Sequence, residues 1–169
     1  MKKTKLVLLV SVIAILQSCI WPDQSDDVVL NPQSDYTPTI LKRPAFEATT
    51  GCESPKPIVN SGKIYVKGQF LFVNEKNEGF HVFDNSNPEN PINIGFLNVL
   101  GSSDLAIKDN IIYVNNAVDL IAIEPNFSNS TIAVTKRIPN TFPQLFSPDG
   151  VEYYDLEDDD IIVNWTLNN

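Results

Sequence analysis

From Ser61 onward, apolar and polar positions alternate in short runs rich in β-branched and aromatic residues, the pattern of half-buried strands. Ile64-Tyr65-Val66, Phe70-Leu71-Phe72-Val73, Phe80-His81-Val82-Phe83 and Ile92 to Val99 read as four strands. Between the first two, Lys67-Gly68-Gln69 is a tight turn whose glycine supplies positive φ. The same order returns in Leu105-Ala106-Ile107, Ile111-Ile112-Tyr113-Val114, Leu120-Ile121-Ala122-Ile123 and Thr131 to Ile138. Its turn is Lys108-Asp109-Asn110, where Asp and Asn tolerate left-handed backbone. No stretch keeps a 3.6-residue period with caps, so the pattern predicts little helix.

The two halves superpose at a spacing of about 41 residues, which pairs Ile64 with Leu105, Val66 with Ile107, Phe72 with Tyr113 and Asn74 with Asn115. One residue is then lost, and Phe80 meets Leu120, Phe83 meets Ile123 and Asp84 meets Glu124. A third copy starts at Leu145, with Asp149-Gly150 at the turn, Tyr153 in place of Tyr113, and Ile161-Ile162-Val163 as third strand. A period near 40 residues with four strands per unit is that of a propeller blade. The expected fold is therefore all-β: two four-stranded antiparallel blades over about 61–100 and 103–139, and a partial third over 143–169. A closed ring takes about 4–8 blades, so this propeller is expected to be open: truncated, split, or completed by a companion chain.

The N-terminus carries a different pattern. Lys2, Lys3 and Lys5 precede an apolar run from Leu6 to Leu16, as in a secretory signal, and the run is too short to span a bilayer. Leu16-Gln17-Ser18-Cys19 resembles a bacterial lipobox. That resemblance implies a signal peptide over 1–18 and a lipid attached at Cys19, leaving the body held at a membrane by its acyl chains. Between 19 and 60 lie Pro22, Pro32, Pro38, Pro44, Pro55 and Pro57, so this stretch is expected as an extended tether. Asp23, Asp26 and Asp27 behind the anchor resemble the tags that send some envelope lipoproteins to the outer membrane.

The run Gly79-Phe80-His81-Val82-Phe83-Asp84-Asn85-Ser86-Asn87-Pro88, with Pro91 following, resembles the LVIVD repeat of bacterial β-propeller-like lipoproteins. Gly62 to Lys67 and Asp104 to Lys108 are similar to the first strands of such repeats. The second copy departs from the motif, with Glu124 for the Asp and Pro125-Asn126-Phe127-Ser128-Asn129 for the Ser-Asn-Pro turn. The resemblance implies a fold and an envelope location, and no reaction.

Composition narrows the chemistry. Twelve Lys and Arg against 21 Asp and Glu give a formal charge of −9, which offers nucleic acid no basic surface. His81 is the one histidine; it sits between Phe80 and Val82 and reads as a half-exposed sheet residue rather than a metal ligand. Asp149, Glu152, Asp155, Glu157, Asp158, Asp159 and Asp160 gather near the C-terminus, but their spacing fails the EF-hand pattern and reads as a solvated hairpin tip. No Gly-x-Ser-x-Gly, phosphate loop or serine-histidine set exists, so neither catalysis nor a cofactor is expected. With Cys19 lipidated, Cys52 lacks an intramolecular partner and reads as an inert thiol. Trp21 fits an interfacial anchor, while Trp165, Tyr153 and Tyr154 offer packing or sugar-stacking surface. The function expected is a non-catalytic, lipid-anchored binding or scaffolding module of the outer membrane. Two alternatives stand beside it: a glycan-binding or glycan-processing accessory, and a remnant of a longer propeller.

Overall fold

The computed structural model describes residues 33–127 and 129–169; the expected signal peptide, the expected lipid-attachment residue Cys19 and Trp21 lie outside the described residues. The described chain is all-β apart from one short helix. Its strands are β1 (Tyr36–Lys42), β2 (Gly51–Glu53), β3 (Ser61–Lys67), β4 (Phe70–Glu75), β5 (Gly79–Asp84) and β6 (Ile92–Asn98). They continue with β7 (Leu105–Lys108), β8 (Ile111–Asn116), β9 (Asp119–Asn126), β10 (Thr131–Ile138) and β11 (Asp160–Leu167); the helix is α1 (Arg43–Ala48).

All the sheets are antiparallel and none closes on itself. β3 to β6 form one meander, and β2 adds to its edge along β6 to make five strands rather than four. β7 to β10 form a second, four-stranded meander. The turns between their first two strands use Gly68 at φ 57° and Asp109 at φ 54°, one needing no Cβ and the other a short polar side chain.

The third unit departs from expectation. Between residues 143 and 159 no strand forms, and β11 pairs instead with β1, Tyr36 lying opposite Leu167 and Lys42 opposite Asp160. The Gln144 side chain borders β11 like a strand fragment, donating to the Asp160 carbonyl at 2.7 Å and accepting from the Ile162 amide at 2.9 Å.

Part of the expected tether is likewise structured. Pro38 and Pro44 do not prevent this, because each falls where no amide donor is needed. Pro38 lies on β1, which has a single neighbour, and Pro44 sits in the first turn of α1.

One core lies between the two meanders. Phe72, Phe80, Val82, Leu97 and Val99 of the first meet Leu105, Ile112, Val114, Ile121 and Ile123 of the second. A second cluster joins Phe46 of α1 to Ala117 and Val118 at the β8–β9 hairpin and to Ile161 and Val163 of β11. Burying this much aliphatic and aromatic surface, at about 25 cal/mol per Å² of apolar area, is the main force holding the stack.

Candidate functional site

Two features stand out: a pair of buried acids at equivalent hairpins, and an apolar groove on the back of the second meander. In the β4–β5 hairpin, Glu75 ends β4 and is buried. Its carboxylate accepts the Val59 amide at 2.9 Å, the Asn60 amide, and the Nε2–H of His81 at 2.9 Å. Burial pushes the Glu75 carboxyl up, but the two amides and His81 outweigh it and hold it below the usual glutamate range.

In the β8–β9 hairpin, Asp119 opens β9 and is fully buried. It accepts from Arg43 at 2.9 Å, from Arg137 at 2.7 Å and from the Asn140 amide at 3.0 Å. Burial again works against ionisation, and Arg137, Arg43 and the amide prevail, so the carboxyl sits below the usual aspartate range. Arg137 also donates to Asn116 at 3.0 Å and lies over the Phe46 ring. Every polar contact of these two acids goes to the fold itself. They act as staples that lock the segment before β3 and helix α1 onto their sheets.

The groove runs between the back of β7–β8 and the segment Phe142–Phe146, with a volume of about 630 Å³. Ala106, Tyr113 and Leu120 form its floor; Phe142, Leu145 and Phe146 form the facing wall. Ser103, Asp104, Asn115 and Gln144 supply its polar atoms. A smaller cavity of about 310 Å³ lies between the β3–β4 and β7–β8 turns, under Phe127. Phe127 packs on Phe70 and Phe72 with ring centroids 4.5 and 5.9 Å away.

The residues singled out in the sequence fall as follows. His81 is not half-exposed: it is fully buried, with Phe96 edge-on at 4.9 Å and Glu75 as its partner. The segment from Glu53 to Asn60 covers that side of the sheet, with Lys56 3.7 Å above the Phe96 ring and its carbonyl accepting from Asn93. The acidic residues near the C-terminus do not converge, and among the described residues no group of three or more His, Cys, Asp or Glu side chains is placed to hold a metal. Asp149 instead binds the Ser147 hydroxyl and the Asp35 amide, while Glu157 and Asp160 pair with Lys42. Cys52, half-buried on β2, is free, and burial pushes its thiol up. Trp165 donates its indole N–H to the Leu145 carbonyl at 3.1 Å and meets Tyr153 edge-on; Tyr154 stands exposed. Sequence reasoning missed Arg43, Asp119, Arg137 and Asn140, whose partners are far apart in the chain. Among the described residues no helix is long and apolar enough to cross a membrane. Comparison with protein-family models, curated proteins and solved structures returned no match, so the functional reading rests on the residues and geometry of this chain.

Proposed function

We propose that this chain is a lipid-anchored envelope protein whose meanders act as propeller-type blades of the LVIVD kind, serving as a non-catalytic binding or scaffolding module. The observation that carries the reading is the sheet-on-sheet stack of two meanders whose strands fall at equivalent repeat positions. The motif from Gly79 to Pro91 and the lipobox-like Leu16 to Cys19 support it from the sequence. The burial of Glu75 and Asp119 in structural hydrogen bonds supports the non-catalytic part, since both acids are committed to holding the fold.

In this reading the lipid on Cys19 tethers the chain, and the groove over β7–β8 is the surface it offers. Fractionation of cells expressing the full chain tests the anchor. The native protein is expected in the membrane pellet, and Cys19→Ala is expected to move most of it to the soluble fraction. Persistence of Cys19→Ala in the pellet after a carbonate wash contradicts the assignment.

A further inference from the structure

In both meanders the third strand is hydrogen-bonded on each side, β5 to β4 and β6, and β9 to β8 and β10. β11 holds the same place in the third unit, because a shift of 40 residues carries Asp119, Ile121 and Ile123 onto Asp159, Ile161 and Val163. Among the described residues it has a strand on one side only. That strand, β1, takes the side of β8, with Leu41 opposite Ile161 as Val114 is opposite Ile121. The other side is the one that β10 fills on β9. There the Ala122 carbonyl accepts the Thr135 hydroxyl at 3.2 Å, and the amide of Ile162, one repeat later, points the same way, to Gln144.

Side chains stand in for the missing neighbour. The Gln144 amide group donates to the Asp160 carbonyl at 2.7 Å and accepts from the Ile162 amide at 2.9 Å. Further along, the Trp165 amide donates to the Asn164 side chain at 2.9 Å. Rotating Gln144 away frees two main-chain groups at once, and a strand edge with free groups is a template for another strand.

The charges beside this edge select the strand that fits. In the second meander β10 brings Arg137 to Asp119 at 2.7 Å. The equivalent of Asp119 is Asp159, which is exposed and has no side-chain partner among the described residues. Asp158 beside it is exposed as well, and Lys42 is shared by Glu157 and Asp160. The third unit thus keeps the acid of the clasp without the arginine that a fourth strand carries.

We propose that an extended, basic segment of a partner polypeptide pairs with this edge of β11, displacing the Gln144 side chain and setting an arginine against Asp159 as β10 sets Arg137 against Asp119. The inference rests on the repeat part of the reading above, is independent of the lipid anchor, and adds a second binding surface to the groove. Main-chain bonds supply the attachment, and the arginine–carboxylate pair supplies the choice of partner.

Fluorescence anisotropy of a labelled peptide copying Ser130 to Asn140, titrated with the detergent-solubilised full chain, tests it. Saturable binding is expected. An Arg137→Glu peptide with the native protein, and the native peptide with an Asp159→Arg protein, are each expected to bind at least tenfold more weakly. Combining the Arg137→Glu peptide with the Asp159→Arg protein should recover most of that loss, because opposite charges meet again. Gln144→Ala removes the stand-in and is expected to tighten binding severalfold. If that variant disturbs the native circular dichroism, slower hydrogen exchange at the Ile162 and Trp165 amides of the native protein on adding the peptide reads the same displacement. Three results overturn the proposal: no saturable binding, binding indifferent to Asp159→Arg, or no recovery in the charge-swapped pair. A peptide that fails to bind a protein whose membrane pelleting still requires Cys19 sinks this docking and leaves the anchor standing; binding by a protein that ignores Cys19→Ala does the reverse.

Discussion

The first and second meanders each bury a carboxylate at the hairpin between their second and third strands, and they satisfy it by opposite means. Glu75 sits at the end of β4 and is held by two backbone amides and a histidine. Asp119 sits across the hairpin at the start of β9 and is held by two guanidinium groups and an amide. The acid cannot occupy the Asp119 position in the first meander. There the residue is Gly79, at φ 149°, and a Cβ would run into the Leu97 carbonyl and the Phe96 ring. The side of the hairpin that carries the acid then decides what it fastens. Glu75 reaches back to the chain entering β3, while Asp119 reaches α1 and β10. One is a local clasp and the other a long-range one.

The sharpest way to break this contrast is to delete the long-range clasp. Asp119→Ala leaves Arg43 and Arg137 facing each other in a half-buried pocket without their counter-charge, and removing one partner from a buried charge network costs about 3–5 kcal/mol. Urea denaturation is expected to show a loss of that size, together with early melting of α1. A loss below about 1 kcal/mol would mean that the cluster around Phe46, rather than the charge triad, holds the helix.

Glu75→Gln is the milder counterpart, since the amide oxygen still accepts from one backbone N–H; the expected cost is about 1–3 kcal/mol. The two acids also make stability depend on pH with a defined sign. Both carboxyls lie below their ordinary values when folded, so their contribution is complete above the unfolded values of about 4 and is lost as pH falls through the folded ones. Acid titration of the unfolding midpoint is expected to be flat above about pH 5 and to fall steeply below about pH 4. The Asp119→Ala and Glu75→Gln variants should each flatten that fall. An unchanged slope in both would place the acid sensitivity elsewhere.

How much of this was legible depends on the distance over which each signal acts. The strands of both meanders follow from a period of two and the turns from Gly68 and Asp109, all local properties of the chain. The β1–β11 pair was not legible, because β1 lies in a proline-bearing stretch and its partner is at the far end of the sequence. Arg43 and Asp119 are 76 residues apart, and a lone arginine and a lone aspartate carry no pattern. His81 was placed on the correct strand, but its burial comes from the overlying segment around Lys56, which strand alternation does not report. The groove left a faint trace. Ala106 stands where the first meander has Tyr65, and a small residue in place of a large one at an equivalent repeat position marks a gap.

The loops that follow β5 and β9 extend the comparison and give its smallest test. Asp84 ends β5 and accepts from the Ser86 hydroxyl at 2.6 Å and the Ser86 amide at 2.9 Å, which hold its carboxyl below the usual aspartate range. This turn folds within three residues and touches neither core. At the matching position the second meander has Glu124, whose longer side chain is exposed, and its loop is steered instead by Phe127 against Phe70 and Phe72. The polar turn orders its own backbone; the aromatic one adds to the packing between the sheets. Asp84→Ala is therefore expected to speed hydrogen exchange at the Ser86 amide and leave the unfolding midpoint where it was, because a local opening need not involve the rest of the fold. Glu124→Ala should change neither. If Asp84→Ala instead lowers the midpoint as Glu75→Gln does, the turn is coupled to the core through the β5–β6 edge, and the division between a self-contained loop and a packed one fails.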